Sequence, residues 1–170
     1  ATFTGATGVW TITDSVANVN AALAAVSFTP ATNQDVDVTI TTHIEDQSGG
    51  GPTDGAFTLD VTPVNDAPTT SNSTVTTNED TDHTFTAAEF NFADVDAGAA
   101  LASIKITSLE TAGKLQLNGV DVILNQVITK ADIDGNKLKF VPEDDANGAG
   151  YATFNFTVND GTADSVASAV

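Results

Sequence analysis

The chain has 170 residues, of which 23 are acidic and 5 are basic, so its formal net charge at pH 7 is -18. A surface of this sign repels nucleic acid and anionic membranes, because proteins that bind either one neutralise phosphate with Lys and Arg. The same surface attracts cations. Apolar residues make up 41% of the sequence and alternate with polar ones, so we expect a folded protein rather than a disordered acidic tail.

The sequence contains no cysteine, which excludes disulfide bonds and thiolate chemistry. No apolar run reaches the ~18 residues that a membrane-spanning helix needs, and the residues from Ala1 onward do not have the pattern of a signal peptide. Because methionine is also absent, we expect a fragment or a processed product of a longer chain. The abundance of Thr, Asn, Asp, Gly and Ala favours an extracellular protein.

The first part of the chain predicts strands around one helix. Asp14 and Ser15 supply N-cap oxygens, and Val16, Val19, Leu23 and Val26 follow at helical spacing. A glycine-rich loop joins the last two predicted strands, which indicates a hairpin. The predicted strands of this part are 8–13, 27–30, 36–44 and 56–62.

Residues 64–68, with the sequence Val-Asn-Asp-Ala-Pro, form a short connector after this hairpin. Ala67 precedes a proline and is therefore pushed toward an extended backbone, and Pro68 has no N–H to add to a sheet. After the connector the strand pattern begins again, with a single helical turn predicted between residues 127 and 133. The predicted strands of this second part are 74–77, 84–86, 101–109, 113–117, 138–142, 152–158 and 166–170.

Two parts of the chain repeat each other in order. The matching segments are 8–12 with 113–117, 26–30 with 138–142, and 38–46 with 154–160. The sequence therefore predicts two domains, residues 1–66 and 67–170, of which the first is a repeat that lacks its opening half. We expect this incomplete repeat to expose its core face, and to be locally disordered, to exchange a strand or to bind a partner.

Residues 40–68 resemble the end of a cadherin-like repeat. The resemblance extends to the motifs Asn78-Glu79-Asp80, Asp94-Val95-Asp96, Phe140-Val141-Pro142 and Val158-Asn159-Asp160-Gly161. More narrowly, the chain is similar to the cadherin-like or proteoglycan-type repeats of large bacterial adhesins exported by type I (RTX-type) systems. The resemblance implies an all-β fold of tandem Greek-key β-sandwich repeats with one short helix. It also implies a secreted or cell-surface, extracellular protein.

The resemblance further implies Ca²⁺ at the junction between repeats. The residues that match its ligands are Asn65 and Asp66 in the connector, Asp94, Asp96 and Asp160 at the top of the second repeat, and Asp35 and Asp37 from the first. Further acidic residues would face neighbouring junctions, namely Glu79, Asp80, Asp144 and Asp145 on one side and Glu45 and Asp46 on the other. The connector is shorter and less acidic than that of animal cadherins, which implies fewer or more weakly bound ions.

The residue types suit this ion. Ca²⁺ takes about six to eight oxygen ligands from carboxylates, amides and backbone carbonyls. Zinc prefers His and Cys, whereas this chain has no Cys and its two histidines, His43 and His83, lie far apart in sequence. Carboxylates that converge without a cation repel one another. The interpretation is therefore that Ca²⁺ stiffens and extends an array of repeats.

The sequence offers no motif for an activated nucleophile, since Gly-x-Ser-x-Gly and His–Cys pairs are both absent. Its paired carboxylates could in principle hydrolyse glycosides, but they lie on turns between strands, as a metal junction requires. We therefore expect a structural spacer without enzymatic activity, whose partners are neighbouring repeats of the same long chain. The alternative is a module that binds a glycan or a protein at a cell surface, with no nucleic acid partner and no membrane insertion.

Overall fold

The computed structural model describes residues 2–4 and 8–170. Its contacts divide the chain into two compact units, Ala1–Gln34 and Asp35–Val170. The first unit contains a two-stranded antiparallel sheet and one helix. The second contains a hairpin and two four-stranded sheets. The domain boundary between residues 66 and 67 stays a prediction.

In the first unit, strand β1 (Thr2–Thr4) pairs with β2 (Val9–Thr11), and helix α1 spans Val16–Ala24. The helix begins where the sequence predicts it, because the side chain of Ser15 accepts a hydrogen bond from the N–H of Asn18 at 3.4 Å. No residue of α1 is buried. The helix is therefore held mainly by its own hydrogen bonds and cap.

The strand predicted over residues 27–30 does not form. In the second unit the corresponding segment is a strand that pairs with a neighbour on each side. In the first unit β2 pairs with β1. A short run of strand-forming residues joins a sheet only where it can pair with a neighbouring strand. Among the described residues of the first unit, no strand pairs with residues 26–30.

The second unit begins with a hairpin and continues as a β-sandwich. One sheet has the strand order β5-β10-β7-β8, the other has the order β12-β11-β6-β9, and every pair is antiparallel. The strands are β3 (Val38–Thr42), β4 (Gly55–Leu59), β5 (His83–Thr84), β6 (Ser103–Ser108), β7 (Lys114–Leu117), β8 (Val120–Asp121), β9 (Val127–Thr129), β10 (Leu138–Val141), β11 (Asn155–Asn159) and β12 (Ser168–Ala169). The all-β prediction is confirmed.

Several differences from the predicted elements are local. The helical turn predicted between residues 127 and 133 forms as helix α2 (Lys130–Asp134), but residues 127–129 before it form strand β9. The described residues thus contain two short α-helices rather than one. Residues 87–90 form a 3₁₀ helix. Residues 74–77 form no strand, because the backbone contact of this region to β12 is limited to the hydrogen bond from the N–H of Ser73 to the carbonyl of Ala169.

The two sheets enclose one hydrophobic core. Ile104 and Ile106 of β6 and Phe156 and Val158 of β11 alternate with polar residues and are fully buried. Phe90, on the 3₁₀ helix, packs edge-on against Phe156 at 5.1 Å between ring centroids. All buried hydrophobic side chains of the described residues lie between positions 85 and 158. The sandwich therefore has a complete core of its own.

The hairpin β3–β4 is amphipathic but contributes no buried residue. The pairs Val38–Leu59 and Ile40–Phe57 place four apolar side chains on one side, and Phe57 remains 49% exposed. The other side carries threonines and one alanine. None of the described residues between 8 and 66 is buried.

The sandwich has two ends, which the pairing of β6 with β11 defines. Ser103 lies opposite Asn159 at the upper end, and Ser108 lies opposite Asn155 at the lower end. The chain enters at the upper end, where Thr69 and Ala93 exchange backbone hydrogen bonds of 2.7 and 2.9 Å. Val170 exchanges two 3.1 Å backbone hydrogen bonds with Phe154 near the lower end. Entry and final residue thus lie at opposite ends of the sandwich.

Candidate metal centre

Two predicted ligands attach the connector to the upper end of the sandwich. The Nδ2 of Asn65 donates a hydrogen bond to Oδ2 of Asp160 at 3.0 Å. The backbone N–H of Asp66 donates to Oδ2 of Asp96 at 2.8 Å. The partners are 95 and 30 positions apart in sequence. The fold of the sandwich, rather than local sequence, brings these four residues together.

The loop that contains Asp94 and Asp96 lies beside the connector. The N–H of Asp96 donates to Oδ1 of Asp94 at 3.0 Å. The other carboxylate oxygen, Oδ2 of Asp94, is buried and has no hydrogen-bond partner. A buried acceptor without a partner costs free energy unless a donor or a cation reaches it. This oxygen is the feature of the upper end that best fits a bound cation.

Asp160 is held at the start of its turn by donors on both oxygens. Its Oδ1 accepts hydrogen bonds from the N–H groups of Ala163 at 2.7 Å and Thr162 at 2.6 Å, and its Oδ2 accepts the hydrogen bond from Asn65. These donors lower the pKa of Asp160, the Ala163 N–H most, followed by Asn65 and Thr162. The carboxyl group is therefore ionised at neutral pH, as a Ca²⁺ ligand must be.

An open depression of about 470 Å³ lies between the end of the hairpin and the upper loops. Its lining is Asp35, Pro63, Val64, Asn65, Asp96 and Ala97. The structure thus brings Asp35, from the start of the second unit, to the same surface as two other predicted ligands. The lining therefore includes carboxylate and amide groups, whose oxygens are the atoms that Ca²⁺ binds.

The side chain of Asp37 has a different contact. Its Oδ1 accepts a hydrogen bond of 3.1 Å from the N–H of Val61, which ties the start of the hairpin to its end. Within residues 2–4 and 8–170, no three His, Asp or Glu side chains form a group able to hold a metal ion. The upper-end carboxylates accept hydrogen bonds from N–H groups instead. The ligand set stays a prediction.

The acidic residues predicted to face a neighbouring junction form a separate cluster at the lower end. Oδ1 of Asp80 accepts a hydrogen bond from the N–H of Asp145 at 2.8 Å. Oε2 of Glu79 accepts one from Nδ2 of Asn147 at 3.2 Å. Asp144 is exposed next to them. The fold therefore joins two acidic loops that are more than sixty positions apart in sequence.

Glu45 and Asp46 lie in the hairpin loop. Oδ1 of Asp46 accepts hydrogen bonds from the N–H groups of Ser48 and Gly50 at 2.8 and 2.9 Å. Oε2 of Glu45 lies 3.5 Å from Nε2 of His43. Their observed contacts are local and shape the loop.

One contact at the upper end has no counterpart in the sequence analysis. Lys105 of β6 pairs with Oδ2 of Asp164, whose Oδ1 accepts a hydrogen bond from Nδ2 of Asn159 at 2.7 Å. Lys105 is the main cause of the lowered pKa of Asp164, and Asn159 is the second. Oδ1 of Asn159 in turn accepts from the N–H of Gly161 at 2.7 Å. This network positions the turn that carries Asp160, and no local motif signals the distant Lys105.

A cadherin-like family model matches residues 68–170, which is more than half of the chain. No curated protein and no solved structure matches. No helix of the described residues is long and apolar enough to cross a membrane. Cadherin-like domains are structural or adhesion modules that are extracellular in general, generally bind Ca²⁺ and are typically not enzymes. With the all-β sandwich and the match together, the chain belongs to the cadherin-like family.

Proposed function

We propose that this chain is a calcium-binding structural repeat of a large secreted bacterial adhesin, and that Ca²⁺ at the connector stiffens the array. The observation that carries the proposal is Oδ2 of Asp94, which is buried without a hydrogen-bond partner. It belongs to the loop that accepts a hydrogen bond from the connector. A cation there would satisfy the buried oxygen.

The residues that would hold the ion are Asp35, Asn65, Asp66, Asp94, Asp96 and Asp160. Asn65 uses its amide nitrogen to donate to Asp160, so its carbonyl oxygen is the ligand atom. The backbone of Asp66 is already held by Asp96. When bound, the ion neutralises carboxylates that otherwise repel one another. Connector and upper loops then form a stiffer junction than hydrogen bonds alone provide.

The electrostatics of the second unit favour this arrangement. Residues 35–66 contain seven acidic residues and no lysine or arginine, and the nearest lysine in sequence after the connector is Lys105. Without a cation, this excess negative charge disfavours a close approach of the connector to the acidic upper loops. Binding of a divalent cation therefore stabilises the attached connector.

A glycan- or protein-binding module is the second candidate. The observation that favours it is Phe57, which lies on the apolar side of the hairpin and is 49% exposed. Exposed aromatic side chains are typical of binding surfaces. A spacer repeat has no need of such a surface.

Thermal unfolding of the full chain in excess Ca²⁺ and in chelator tests the calcium proposal. At about a hundred times the dissociation constant, Ca²⁺ stabilises a folded protein by about 2.7 kcal/mol, which raises the Tm of a ~100-residue domain by roughly 10 °C or more. Mg²⁺ should give a much smaller rise, since it demands stricter octahedral geometry.

Two variants locate the site. Asp94→Asn should remove most of the Ca²⁺-dependent rise in Tm. Asp121→Asn is the matched control, since it removes the same charge from an exposed strand residue whose nearest cation is the Nζ of Lys114 at 3.6 Å, and it should keep the rise. An unchanged Tm of the wild-type chain in Ca²⁺ would overturn the proposal and favour the binding module.

A further inference from the structure

One side of the sandwich carries a group of exposed apolar side chains. The chain passes there from β8, at the edge of one sheet, to β9, at the edge of the other. Val122 fills the core from this segment and is 4% exposed, whereas four aliphatic side chains around it are 52–70% exposed. We call these four residues the lateral patch, namely Val120, Ile123, Leu124 and Val127. A single exposed apolar residue is ordinary, but a group of this kind is typical of an interaction site.

Backbone hydrogen bonds hold this segment against both sheets. The N–H of Val122 donates to the carbonyl of Leu115 in β7 at 2.8 Å. The N–H of Asn125 donates to the carbonyl of Ile106 in β6 at 2.8 Å, and the N–H of Ile106 donates to the carbonyl of Gln126 at 3.1 Å. The lateral patch is therefore presented on a backbone that is already ordered, so a partner that covers it pays little conformational entropy.

The lateral patch lies in the part of the chain that has no excess of negative charge. Residues 101–142 contain all five lysines and four acidic residues, whereas the remaining residues contain nineteen acidic residues and no Lys or Arg. Every lysine is paired with a carboxylate. The pairs are Lys105 with Asp164, Lys114 with Asp121, Lys130 with Asp134, Lys137 with Asp132 and Lys139 with Asp82. The surface around the patch is therefore close to neutral.

This charge distribution selects between possible occupants. A basic partner is attracted to the acid-rich parts of the chain rather than to a neutral patch, and an acidic partner meets lysines that are already paired. A second copy of the chain is repelled in most orientations by the net charge of -18. The orientation in which the two lateral patches face each other brings neutral surfaces together and covers apolar side chains on both copies.

We propose that two copies of this chain associate side by side through the lateral patch, related by a two-fold axis. An interface centred on four side chains per copy is much smaller than the ~20–30 residues a side of a standard stable interface. We therefore expect weak pairing, with a dissociation constant of about 0.1–1 mM. Repeats joined in one long chain would add such contacts along their length. The patch contains none of the predicted calcium ligands, so the pairing does not require the ion.

An NMR dilution series of the full chain tests the pairing. Amide shifts recorded between about 20 μM and about 2 mM bracket the expected dissociation constant. The shifts of residues 119–129 should change with concentration and approach saturation, whereas those of residues 35–66 should stay constant. The dimer fraction at a given concentration should increase in 1 M NaCl, at which the Debye length is only ~3 Å, because salt screens the repulsion between copies and leaves the apolar contact in place.

A matched pair of variants locates the interface. Ile123→Asp should weaken the association by at least ~10-fold, because a two-fold axis makes each substitution act twice. Ile44→Asp is the control, since it replaces the same residue at a similar exposure, 63% against 68%, and adds the same charge outside the patch. It should change the association by less than ~3-fold. Ile123→Asn removes the apolar side chain without adding charge and should also weaken the pairing, with an unchanged Tm because the position is exposed.

A mixture of isotope-labelled and unlabelled copies identifies the covered surface. Intermolecular NOEs should join the methyl groups of Ile123 and Leu124 in one copy to methyl groups of the lateral patch in the other.

Three results would overturn the proposal. They are a chain that stays monomeric at about 2 mM in low and in high salt, equal losses for Ile123→Asp and Ile44→Asp, and intermolecular NOEs from Ile123 to residues outside the patch. The dilution series should agree in Ca²⁺ and in chelator. Failure of this proposal is therefore distinguishable from failure of the calcium proposal, which is measured by the Ca²⁺-dependent rise in Tm.

Discussion

Asp94 shows what a single side chain contributes to the upper end. One of its oxygens organises the loop by accepting the N–H of Asp96, and the other is buried without a partner. A side chain that only shaped the loop would leave its second oxygen in water. This arrangement favours a role for Asp94 as a metal ligand. From the sequence, only the family resemblance assigned that role to the acidic pair Asp94 and Asp96.

Gly113 and Gly8 occupy matching places before matching strands, and both have a left-handed backbone, with φ of +66° and +65°. At Gly113 an added Cβ would lie 2.6 Å from Cζ of Phe140 and 2.8 Å from the carbonyl oxygen of Val141. The next turn offers a useful contrast. Gly119 has φ +78° but no atom within 4 Å of the same position.

Gly113→Ala should therefore destabilise the sandwich more than Gly119→Ala. Both variants place a side chain in a left-handed conformation, at a cost of about 1 kcal/mol. Only Gly113→Ala also displaces Phe140 and the backbone of Val141, which adds roughly 1–3 kcal/mol. Urea unfolding of the two variants measures the difference, and equal losses would show that the close contact relaxes freely.

At the scale of elements, local sequence patterns predicted the elements that local interactions stabilise, namely helix α1 and the hairpin of β3 and β4. The cap at Ser15 placed the start of α1 at Val16, whereas the helical spacing continues to Val26, two residues past the observed end at Ala24. The glycine-rich loop, the β-branched run before it and the alternating run after it placed β3 and β4. Residues 26–30 have similar strand propensity but form none, because a strand depends on a partner that sequence does not reveal. The sequence analysis missed the ion pair between Lys105 and Asp164 because these residues lie 59 positions apart in the chain.

Helix α2 depends on Asp132 in a way that pH can reveal. Lys137, whose Nζ lies 2.7 Å from Oδ1 of Asp132, is the largest cause of the lowered pKa of this carboxyl, followed by the hydroxyl of Thr129. Because the folded pKa lies below the ordinary value of 3.8, ionised Asp132 stabilises the folded state above that value. This stabilisation is lost as the pH falls through the folded pKa.

Asp132→Asn should therefore lower the free energy of unfolding at pH 7, and the difference from wild type should shrink below about pH 4. Urea unfolding at pH 7 and pH 3 gives the measurement. Lys137→Gln supplies the control, because the effect of Asp132→Asn should be smaller in that background. A difference that is the same at both pH values would contradict the assigned role of the ionised carboxylate.

Thr129→Ala tests the cap of the same helix. The hydroxyl of Thr129 accepts a hydrogen bond from the N–H of Asp132 at 3.1 Å. Loss of such an N-cap costs about 1 kcal/mol. Thr129→Ser keeps the hydroxyl and should retain most of the stability. If Ser and Ala are equally destabilising, the cap contributes less than the packing of the threonine methyl group.

At the scale of the whole molecule, packing is distributed unevenly along the chain. The hydrophobic core lies between positions 85 and 158, whereas the described residues from 8 to 66 contain no buried side chain. Composition could not predict this contrast, because both parts have strand-forming patterns. The internal repeat did indicate it, since the first copy lacks the segments that would complete a sandwich.

A chain of residues 68–170 should therefore fold alone. In chelator its Tm should lie within a few °C of that of the full chain, because no core residue is removed. In Ca²⁺ the rise in Tm should be smaller than for the full chain, since Asp35, Asn65 and Asp66 are absent. Calorimetry of both proteins tests this, and failure of residues 68–170 to fold would show that the hairpin supports the core.

The positions of the connector and of Val170 at opposite ends have a consequence for a protein under load. Tension applied between these points would act first on the segment after Pro68 and on β12. These segments are joined by the hydrogen bonds from the N–H of Ser73 to the carbonyl of Ala169 and from the N–H of Ala169 to Oδ1 of Asn72, both 3.0 Å long. Resistance to such a pull is set by the rate of unfolding rather than by equilibrium stability. The pairing of these two end segments, rather than the core between the sheets, would therefore set the force at which residues 68–170 begin to unfold.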